Sequence, residues 1–194
     1  MLCRINSKTP KFWLVLKIVM KMKNLALLTG FVNSAMLKDA GAKYVILGHS
    51  EVRQAGDSNK LINQKIKSAT KSGSSVILCI GETIQEKRKK LTKKVLKEQI
   101  KIGLRKIGNR KNILIAYEPV WAIGSGIIPK PSDLFQTINF IKNIAKNIKV
   151  LYGGSVNSKN IDQLNSINNI DGYLIGGASQ DSKKFIDIIK KTYN

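Results

Sequence analysis

Residues 75–83, with the sequence Ser-Val-Ile-Leu-Cys-Ile-Gly-Glu-Thr, decide the fold class of this chain. A nearly unbroken apolar run ends abruptly in a glycine and two polar residues, which is typical of a parallel strand buried on both faces. Four similar runs, each with a polar or glycine-rich end, lie at residues 44–47, 113–117, 149–152 and 172–175. The sequence therefore predicts five strands of one parallel sheet.

Helical patterns lie between these strands. Ser58 can cap a helix whose apolar residues from Leu61 to Ala69 share one face, and Gly73 can end it. Asn33 or Ser34 can cap a helix at residues 35–40. Similar spacing predicts further helices at residues 92–107, 131–144, 158–164 and 182–193. Because strands and helices alternate, we expect an α/β protein with a parallel sheet and no linker to a second domain.

Composition limits the class of protein. The chain has 194 residues, of which 43% are hydrophobic and 24% charged, and this excludes a disordered or collagen-like chain. Its two cysteines, Cys3 and Cys79, cannot build a disulfide framework, and no His or Cys cluster predicts a metal site. The apolar stretch at residues 12–22 is interrupted by lysines and lacks a cleavage site of small residues, which argues against a membrane helix and a signal peptide. We therefore expect a cytoplasmic protein.

The formal net charge of +22 is unusual. Lysines are spread over predicted helix surfaces, as at residues 87–94, and the charged runs lack the interleaved aromatic residues of a nucleic-acid stacking platform. Solvated helix faces in a lysine-rich chain therefore explain the charge better than a nucleic-acid site. Phosphorylated small molecules are a class of ligand that such a surface attracts.

Each predicted strand ends in residues that can do chemistry. Taken singly, a histidine beside a strand, a carboxylate at a strand end and a glycine pair are usually structural. In a closed parallel barrel, however, all five ends meet on one face, where barrel enzymes have their active sites. There His49 and Glu118 would lie beside glycine-rich turns whose N–H groups suit a phosphate. The ends read Gly48-His49-Ser50-Glu51, Gly81-Glu82-Thr83, Glu118-Pro119-Val120-Trp121, Gly153-Gly154-Ser155 and Gly176-Gly177-Ala178-Ser179.

Four motifs in this order resemble the triosephosphate isomerase family. They are residues 43–51 (Lys-Tyr-Val-Ile-Leu-Gly-His-Ser-Glu), 116–126 (Ala-Tyr-Glu-Pro-Val-Trp-Ala-Ile-Gly-Ser-Gly), 152–157 (Tyr-Gly-Gly-Ser-Val-Asn) and 171–179 (Asp-Gly-Tyr-Leu-Ile-Gly-Gly-Ala-Ser). The resemblance begins near residue 28 and implies a (β/α)8 TIM barrel whose N-terminal part is truncated or divergent. We therefore expect a divergent N-terminal segment at residues 1–27 and a TIM-barrel isomerase domain at residues 28–194.

The resemblance implies a function and two catalytic residues. The family interconverts dihydroxyacetone phosphate and D-glyceraldehyde 3-phosphate through an enediolate, in glycolysis and gluconeogenesis, as a cytoplasmic homodimer without cofactor or metal. Glu118 matches the catalytic base of the family. His49 matches its electrophile, a neutral histidine whose pKa is lowered by a helix N-terminus in the family's established mechanism.

The resemblance also implies a phosphate site and a lid. Residues 119–126 match the mobile lid of the family, which excludes water from the reacting substrate. Tyr152 and Ser155 match the residues that hold the lid closed. The substrate phosphate would lie on the backbone N–H groups of Gly124, Ser155, Gly176 and Gly177.

The N-terminal part of the chain departs from the family. The Asn-x-Lys motif of the family's first strand is not recognisable, because Asn6-Ser7-Lys8 has the spacing but no strand is predicted before it. Residues 12–19 are a candidate for one replaced strand. The family lysine stabilises negative charge on the substrate, and losing such a donor costs about 100- to 1000-fold in turnover. We therefore expect a poor isomerase unless Lys8, Lys11 or Lys17 supplies the cation.

Two further departures lie in regions that the family uses for its dimer interface. Val52 stands where the family has an arginine, and Phe31 stands where it has a glutamate. The family counterpart of Glu51 also pairs with the missing lysine. A carboxylate left alone and buried would be protonated or would find another cation.

Four interpretations follow from the sequence. The chain is a working isomerase with a diverged N-terminus, a weakly active relic of one, a basic nucleic-acid-binding protein on the same scaffold, or a different phosphate-binding barrel enzyme. The fourth is disfavoured because His49, Glu118 and the lid motif together suit aldose–ketose isomerisation. The first accounts for the most residues.

Overall fold

The computed structural model describes residues 2–4, 12–16 and 32–193. The strands are β1 (Leu2–Arg4), β2 (Phe12–Leu16), β3 (Tyr44–Leu47), β4 (Ser75–Ile80), β5 (Ile113–Tyr117), β6 (Val150–Tyr152) and β7 (Gly172–Ile175). The helices are α1 (Ser34–Asp39), α2 (Ser50–Gln54), α3 (Asn59–Lys71), α4 (Ile84–Arg88), α5 (Thr92–Gly103), α6 (Pro131–Ile144), α7 (Ile161–Asn165) and α8 (Ser182–Tyr193). Short 3₁₀ turns, Val120–Ala122 and Gly177–Gln180, follow β5 and β7.

The seven strands of the described residues close into a barrel in chain order. Strands β2 to β7 pair in parallel, so their carboxyl ends meet on one face of the barrel. Strand β1 is antiparallel to both β2 and β7 and completes the ring between them. The α/β TIM-barrel class predicted from the sequence is confirmed, with an antiparallel closing strand that the sequence did not predict.

The antiparallel direction of β1 follows from the length of its connection to β2. Parallel neighbours need a crossover of a dozen or more residues, and only residues 5–11 separate these two strands. The expectation that no strand precedes Asn6 is therefore wrong. Asn6 itself lies outside the described residues, as do Phe31 and the predicted boundary between residues 27 and 28, and so do the three candidate lysines, Lys8, Lys11 and Lys17.

The core consists of two apolar layers, because successive side chains of a strand point to opposite faces. Along β4, Ile77 and Cys79 join the smaller cluster, while Val76, Leu78 and Ile80 join the larger one. The larger cluster also contains the buried faces of α3, α5 and α6, so it is the layer between strands and helices. The smaller cluster, which comprises Ile46, Ile77, Cys79, Leu114, Ala116, Leu151 and Leu174, therefore fills the barrel interior.

The predicted helices and caps are largely confirmed. The side chain of Asn33 accepts the N–H groups of the first turn of α1, and Ser58 does the same for α3. Helix α5 ends at Gly103, four residues earlier than predicted, because the buried Asn63 amide donates to the carbonyls of Gly103 and Arg105 and fixes the turn there. The short helices α2 and α4 were not predicted.

Among the described residues, no helix combines the length and the apolar character that crossing a bilayer requires.

Candidate active site

A cavity of about 970 Å³ lies at the carboxyl ends of the strands. Its walls come from the turns after β3, β6 and β7 and from the loop after β5, as expected for the functional face of a parallel barrel. Five of the six predicted site residues line it: His49, Gly124, Ser155, Gly176 and Gly177. The sixth, Glu118, directly follows β5 and approaches the side chain of His49.

His49 and Glu118 lie close together after β3 and β5. The Nε2 atom of His49 lies 3.8 Å from Oε2 of Glu118. Both residues are buried, with 5% and 2% of their surfaces exposed. The two groups are too far apart for a direct hydrogen bond, so they lie side by side, within reach of one small ligand.

The surroundings of His49 fix its neutral tautomer. His49 precedes α2, and its Nδ1 atom accepts the backbone N–H of Glu51 at 3.4 Å. A ring nitrogen that accepts a hydrogen bond carries no proton, so the proton of the neutral ring lies on Nε2, which faces Glu118. The Glu51 carboxylate, 3.9 Å from Nδ1, is largely exposed.

Arg53 holds the turn that carries His49. Its guanidinium donates to the carbonyl of Gly48 at 2.6 Å, to the carbonyl of Cys79 at 3.0 Å and to the side chain of Asn59 at 2.6 Å. Burial lowers the pKa of Arg53 from its ordinary value. Three charge-assisted hydrogen bonds therefore join the ends of β3 and β4 to α3 directly beneath the histidine.

Glu118 is positioned by close packing of backbone. Its N–H donates to the carbonyl of Ile80 at 2.8 Å, which extends the β4–β5 pairing by one residue. A Cβ atom on Gly81 would lie 1.8 Å from the carbonyl oxygen of Glu118, so only glycine allows the two chains to approach this closely. The buried Gln99 amide both accepts the N–H of Gly81 and donates to its carbonyl.

Backbone donors belong to four residues that line the cavity. Gly124, Ser155, Gly176 and Gly177 all line it, and none of their N–H groups donates a backbone hydrogen bond within the described part of the chain. Backbone N–H groups that are not used in backbone pairing suit an anion when they lie around one cavity.

The loop after β5 lines the cavity and contacts the turn after β6. The N–H of Gly126 donates to Oγ of Ser155 at 3.1 Å, which joins the loop to the turn after β6. Gly124 and Gly126 have φ angles of +67° and +76°, in the left-handed region that favours glycine. The hydroxyl of Tyr152, the second residue implied to hold the lid, is buried and makes no hydrogen bond within the described residues.

The base of this loop is held by the buried carboxylate of Glu82. It accepts the indole N–H of Trp121 at 2.9 Å and the hydroxyl of Tyr117 at 3.2 Å. Burial raises the pKa of Glu82, against the opposing effect of the hydrogen bonds from Trp121 and Tyr117 and the charge of Lys87. Burial also raises the pKa of Tyr117, so its hydroxyl stays protonated and remains a donor.

The sequence did not assign roles to three of these supporting residues. Glu82 was named only as part of a polar strand end. Arg53 was considered only as the neighbour of Val52, and Gln99 only as part of a predicted helix. The signal for Glu82 was its place two residues after β4, but its partners Trp121 and Tyr117 lie far along the chain. Nothing local marks Gln99, because its partner Gly81 is distant in the sequence.

Within the described residues, no group of three or more His, Cys, Asp or Glu side chains could hold a metal ion.

Comparisons with known proteins agree with this geometry. The sequence model of the family described as triosephosphate isomerase matches residues 19–192. A triosephosphate isomerase of Thermodesulfovibrio yellowstonii is 44% identical over 171 residues, which cover 84% of this chain and 70% of that protein. A triosephosphate isomerase of Syntrophotalea carbinolica is 42% identical over 180 residues, covering 87% of this chain and 71% of that protein.

A third relative gives a similar match. A triosephosphate isomerase of Mycoplasmopsis pulmonis is 44% identical over 168 residues, which cover 86% of this chain and 66% of that protein. The family match at residues 19–192 includes strands β3 to β7, the loop after β5 and the turns around the cavity. The chain therefore belongs to the triosephosphate isomerase family.

Proposed function

We propose that this chain interconverts dihydroxyacetone phosphate and D-glyceraldehyde 3-phosphate through an enediolate, a reaction of glycolysis and gluconeogenesis. The observation that carries the proposal is the 3.8 Å approach of His49 Nε2 to Glu118 Oε2 beside a cavity lined by backbone donors. Glu118 can move a proton on carbon, and His49 can act on the neighbouring oxygen. The backbone donors can bind the phosphate.

The carboxylate of Glu118 acts as the base. It removes a proton from the carbon beside the substrate carbonyl and returns it to the adjacent carbon, so the proton is conserved and the net reaction is an isomerisation. A carbon acid this weak reacts only if a base is held within reach of the proton. The packing of Gly81 against Glu118 supplies that fixed position.

His49 acts on the oxygen atoms. Its Nε2–H group donates to the carbonyl oxygen as negative charge develops there, and the ring then transfers a proton between the two oxygens of the enediolate. Preorganised donors of this kind stabilise developing charge because they need no reorientation during the reaction. The hydrogen bond from Glu51 N–H to Nδ1 keeps the ring in the required tautomer.

The substrate phosphate binds to the N–H groups of the glycine-rich turns. Gly124 belongs to the loop itself, so a phosphate held there would link loop closure to substrate binding. A closed loop excludes water and strengthens each electrostatic interaction inside the site. The contact between Gly126 and Ser155 supports this closed arrangement.

A coupled assay with dihydroxyacetone phosphate tests the proposal. The Glu118→Asp variant withdraws the carboxylate by about an ångström and should lower kcat on the order of 100-fold with little change in KM. Glu98→Asp, on the exposed face of α5, is the matched control and should keep full activity. Lack of isomerase activity in the unmodified chain, or an unchanged kcat in Glu118→Asp, would contradict the assignment.

The homodimer and the cytoplasmic location belong to this proposal as well. Family membership supports both, and sedimentation equilibrium of the purified chain would measure the first directly. A second function as a nucleic-acid-binding protein is not favoured, because no feature of the described residues points to it.

A further inference from the structure

The indole ring of Trp121, in the lid, is contacted at both its edge and its face. The indole N–H of Trp121 donates to the Glu82 carboxylate at 2.9 Å, which fixes the edge of the ring. The Nζ atom of Lys87 lies 3.4 Å from the centroid of the same ring and covers its face. Contacts to both the edge and the face restrict sliding and rotation of the ring more than either contact alone.

Both contacts to Trp121 come from one short segment. Glu82 is the second residue after β4, and Lys87 lies on α4, which begins after Thr83. A reciprocal capping box fixes the start of α4, because the hydroxyl of Thr83 accepts the N–H of Glu86 while the Glu86 carboxylate accepts the N–H of Thr83. The helix therefore holds the backbone of Lys87 at a constant distance from Glu82.

The charge of Lys87 acts on Trp121 in two ways. An ammonium over an indole face is attracted by the negative face of the ring. The same positive charge favours the ionised form of the nearby Glu82, opposing the effect of burial on its pKa. An ionised carboxylate is the stronger acceptor for the indole N–H. Removing the charge of Lys87 therefore weakens both contacts.

We propose that Lys87 is a positioning residue for the lid, which holds Trp121 against Glu82 and thereby stabilises the closed loop over the active site. Trp121 belongs to the 3₁₀ turn at the start of the loop, and Gly126 at its far side contacts Ser155. The loop is thus held at two points. Glu82 and Lys87 contact Trp121 at its start, and Ser155 binds Gly126 farther along. The expected effect on the position of Trp121 depends only on these contacts, whereas the expected effect on KM rests on the proposed function.

The size of the effect follows from the exposure of the contact. A cation–π contact at an exposed site contributes about 0.5–1 kcal/mol, which corresponds to about a two- to fivefold change in an equilibrium constant. Removal of the ammonium should shift the lid equilibrium toward the open form by that factor. A phosphate-bearing ligand that binds the closed form would then bind more weakly by the same factor.

Fluorine NMR on protein labelled with 5-fluorotryptophan tests the proposal directly. The chain has two tryptophans, and the Trp121 signal is identified by its loss in Trp121→Phe. We expect Lys87→Met to shift the Trp121 signal and to raise the dissociation constant for inorganic phosphate two- to fivefold. Lys87→Arg should restore both values, since a guanidinium also covers an indole face. Lys89→Met, exposed just beyond the same helix, is the matched control and should resemble the unmodified chain.

The kinetic measurement separates positioning from simple destabilisation. KM should rise two- to fivefold in Lys87→Met while kcat stays within twofold, because bound substrate itself favours closure. A Trp121 signal and a phosphate affinity in Lys87→Met equal to those of Lys89→Met would overturn the proposal. Should Lys87→Met be poorly soluble, Lys87→Gln removes the same charge and is subject to the same comparison. If the unmodified chain had no isomerase activity, the proposed function would fail while the fluorine comparison would still decide the role of Lys87.

Discussion

A Cβ atom on Gly153 would lie 2.7 Å from Cγ of Glu118 and 3.0 Å from its Oε1 atom. Real Cβ atoms do not approach carbon this closely, so the turn after β6 forms a wall against which the carboxylate rests. The position of Glu118, the proposed base, thus depends on a glycine at the end of a neighbouring strand.

The first prediction concerns this wall. Gly153→Ala should displace the Glu118 side chain and lower kcat about 10- to 100-fold, because reacting groups misplaced by about an ångström lose most of their advantage. Gly108→Ala is the matched control, since a Cβ atom there meets nothing within 4 Å. Steady-state assays of both variants measure this effect. Equal kcat values would show that the contact between Gly153 and Glu118 does not affect turnover.

A second prediction concerns the tip of the lid. Ser155→Ala removes the acceptor of the Gly126 N–H but leaves the backbone donors of the turn in place. One such hydrogen bond contributes about 0.5–1.5 kcal/mol, so the dissociation constant for phosphate should rise about two- to tenfold. Isothermal titration measures it, with the exposed Ser132→Ala as control. A phosphate affinity no weaker than that of the control would show that the Gly126–Ser155 hydrogen bond does not support binding.

The buried carboxylate of Glu82 should leave a signature in the pH dependence of stability. Its pKa in the folded chain is raised above the ordinary value of 4.5, chiefly by burial, so the folded chain binds this proton more tightly than the unfolded chain. Its contribution to stability is fully present below pH 4.5 and is lost as the pH rises through the raised pKa. Urea unfolding from about pH 4 to pH 7 should therefore show a smaller loss of stability in Glu82→Gln than in the unmodified chain. If the free energy of unfolding changed with pH in the same way in both proteins, the prediction would be contradicted.

Tyr152 and Tyr173 form a natural comparison. The Tyr152 hydroxyl is buried without a hydrogen-bond partner in the described residues, whereas the Tyr173 hydroxyl donates to Asn165 at 3.0 Å. Tyr152→Phe should leave the free energy of unfolding unchanged or raise it by up to about 1 kcal/mol, while Tyr173→Phe should lower it by about 1 kcal/mol. Denaturant melts measure both. Weaker phosphate binding in Tyr152→Phe would instead support the lid role that the family resemblance implies.

The missing cation gives the last prediction. Replacing Lys8, Lys11 and Lys17 together with methionine should lower kcat about 100- to 1000-fold if one of them stabilises the substrate oxygen. Replacing the exposed Lys93, Lys94 and Lys97 of α5 in the same way is the control for a general loss of charge. High activity in the first triple variant would show that the reaction in this chain needs none of Lys8, Lys11 and Lys17.

Much of the barrel could be predicted because its signals are local. The apolar runs at β3, β4, β5 and β7 have the predicted bounds, and the caps Asn33 and Ser58 lie where short polar side chains precede helical spacing. The five predicted cavity residues follow strands, so topology alone brings them together. Residues whose partners are far away in sequence were not predictable in this way, since Gln99 and Arg53 show their roles only after the ends of β3, β4 and β5 meet. The antiparallel β1 was missed because a three-residue strand has no periodicity to detect.

Strand β1 has a consequence for the order of folding. Leu2 pairs with Ile175, so the contact that completes the ring joins residues from nearly opposite ends of the chain. Contacts of such long sequence separation form late, because closing a long loop costs entropy before any contact compensates it. During synthesis the barrel stays open until β7 has left the ribosome, and the unpaired edges of the partial sheet are meanwhile open to association with other chains. Slow closure of the ring would prolong this exposure and favour aggregation of the newly made protein.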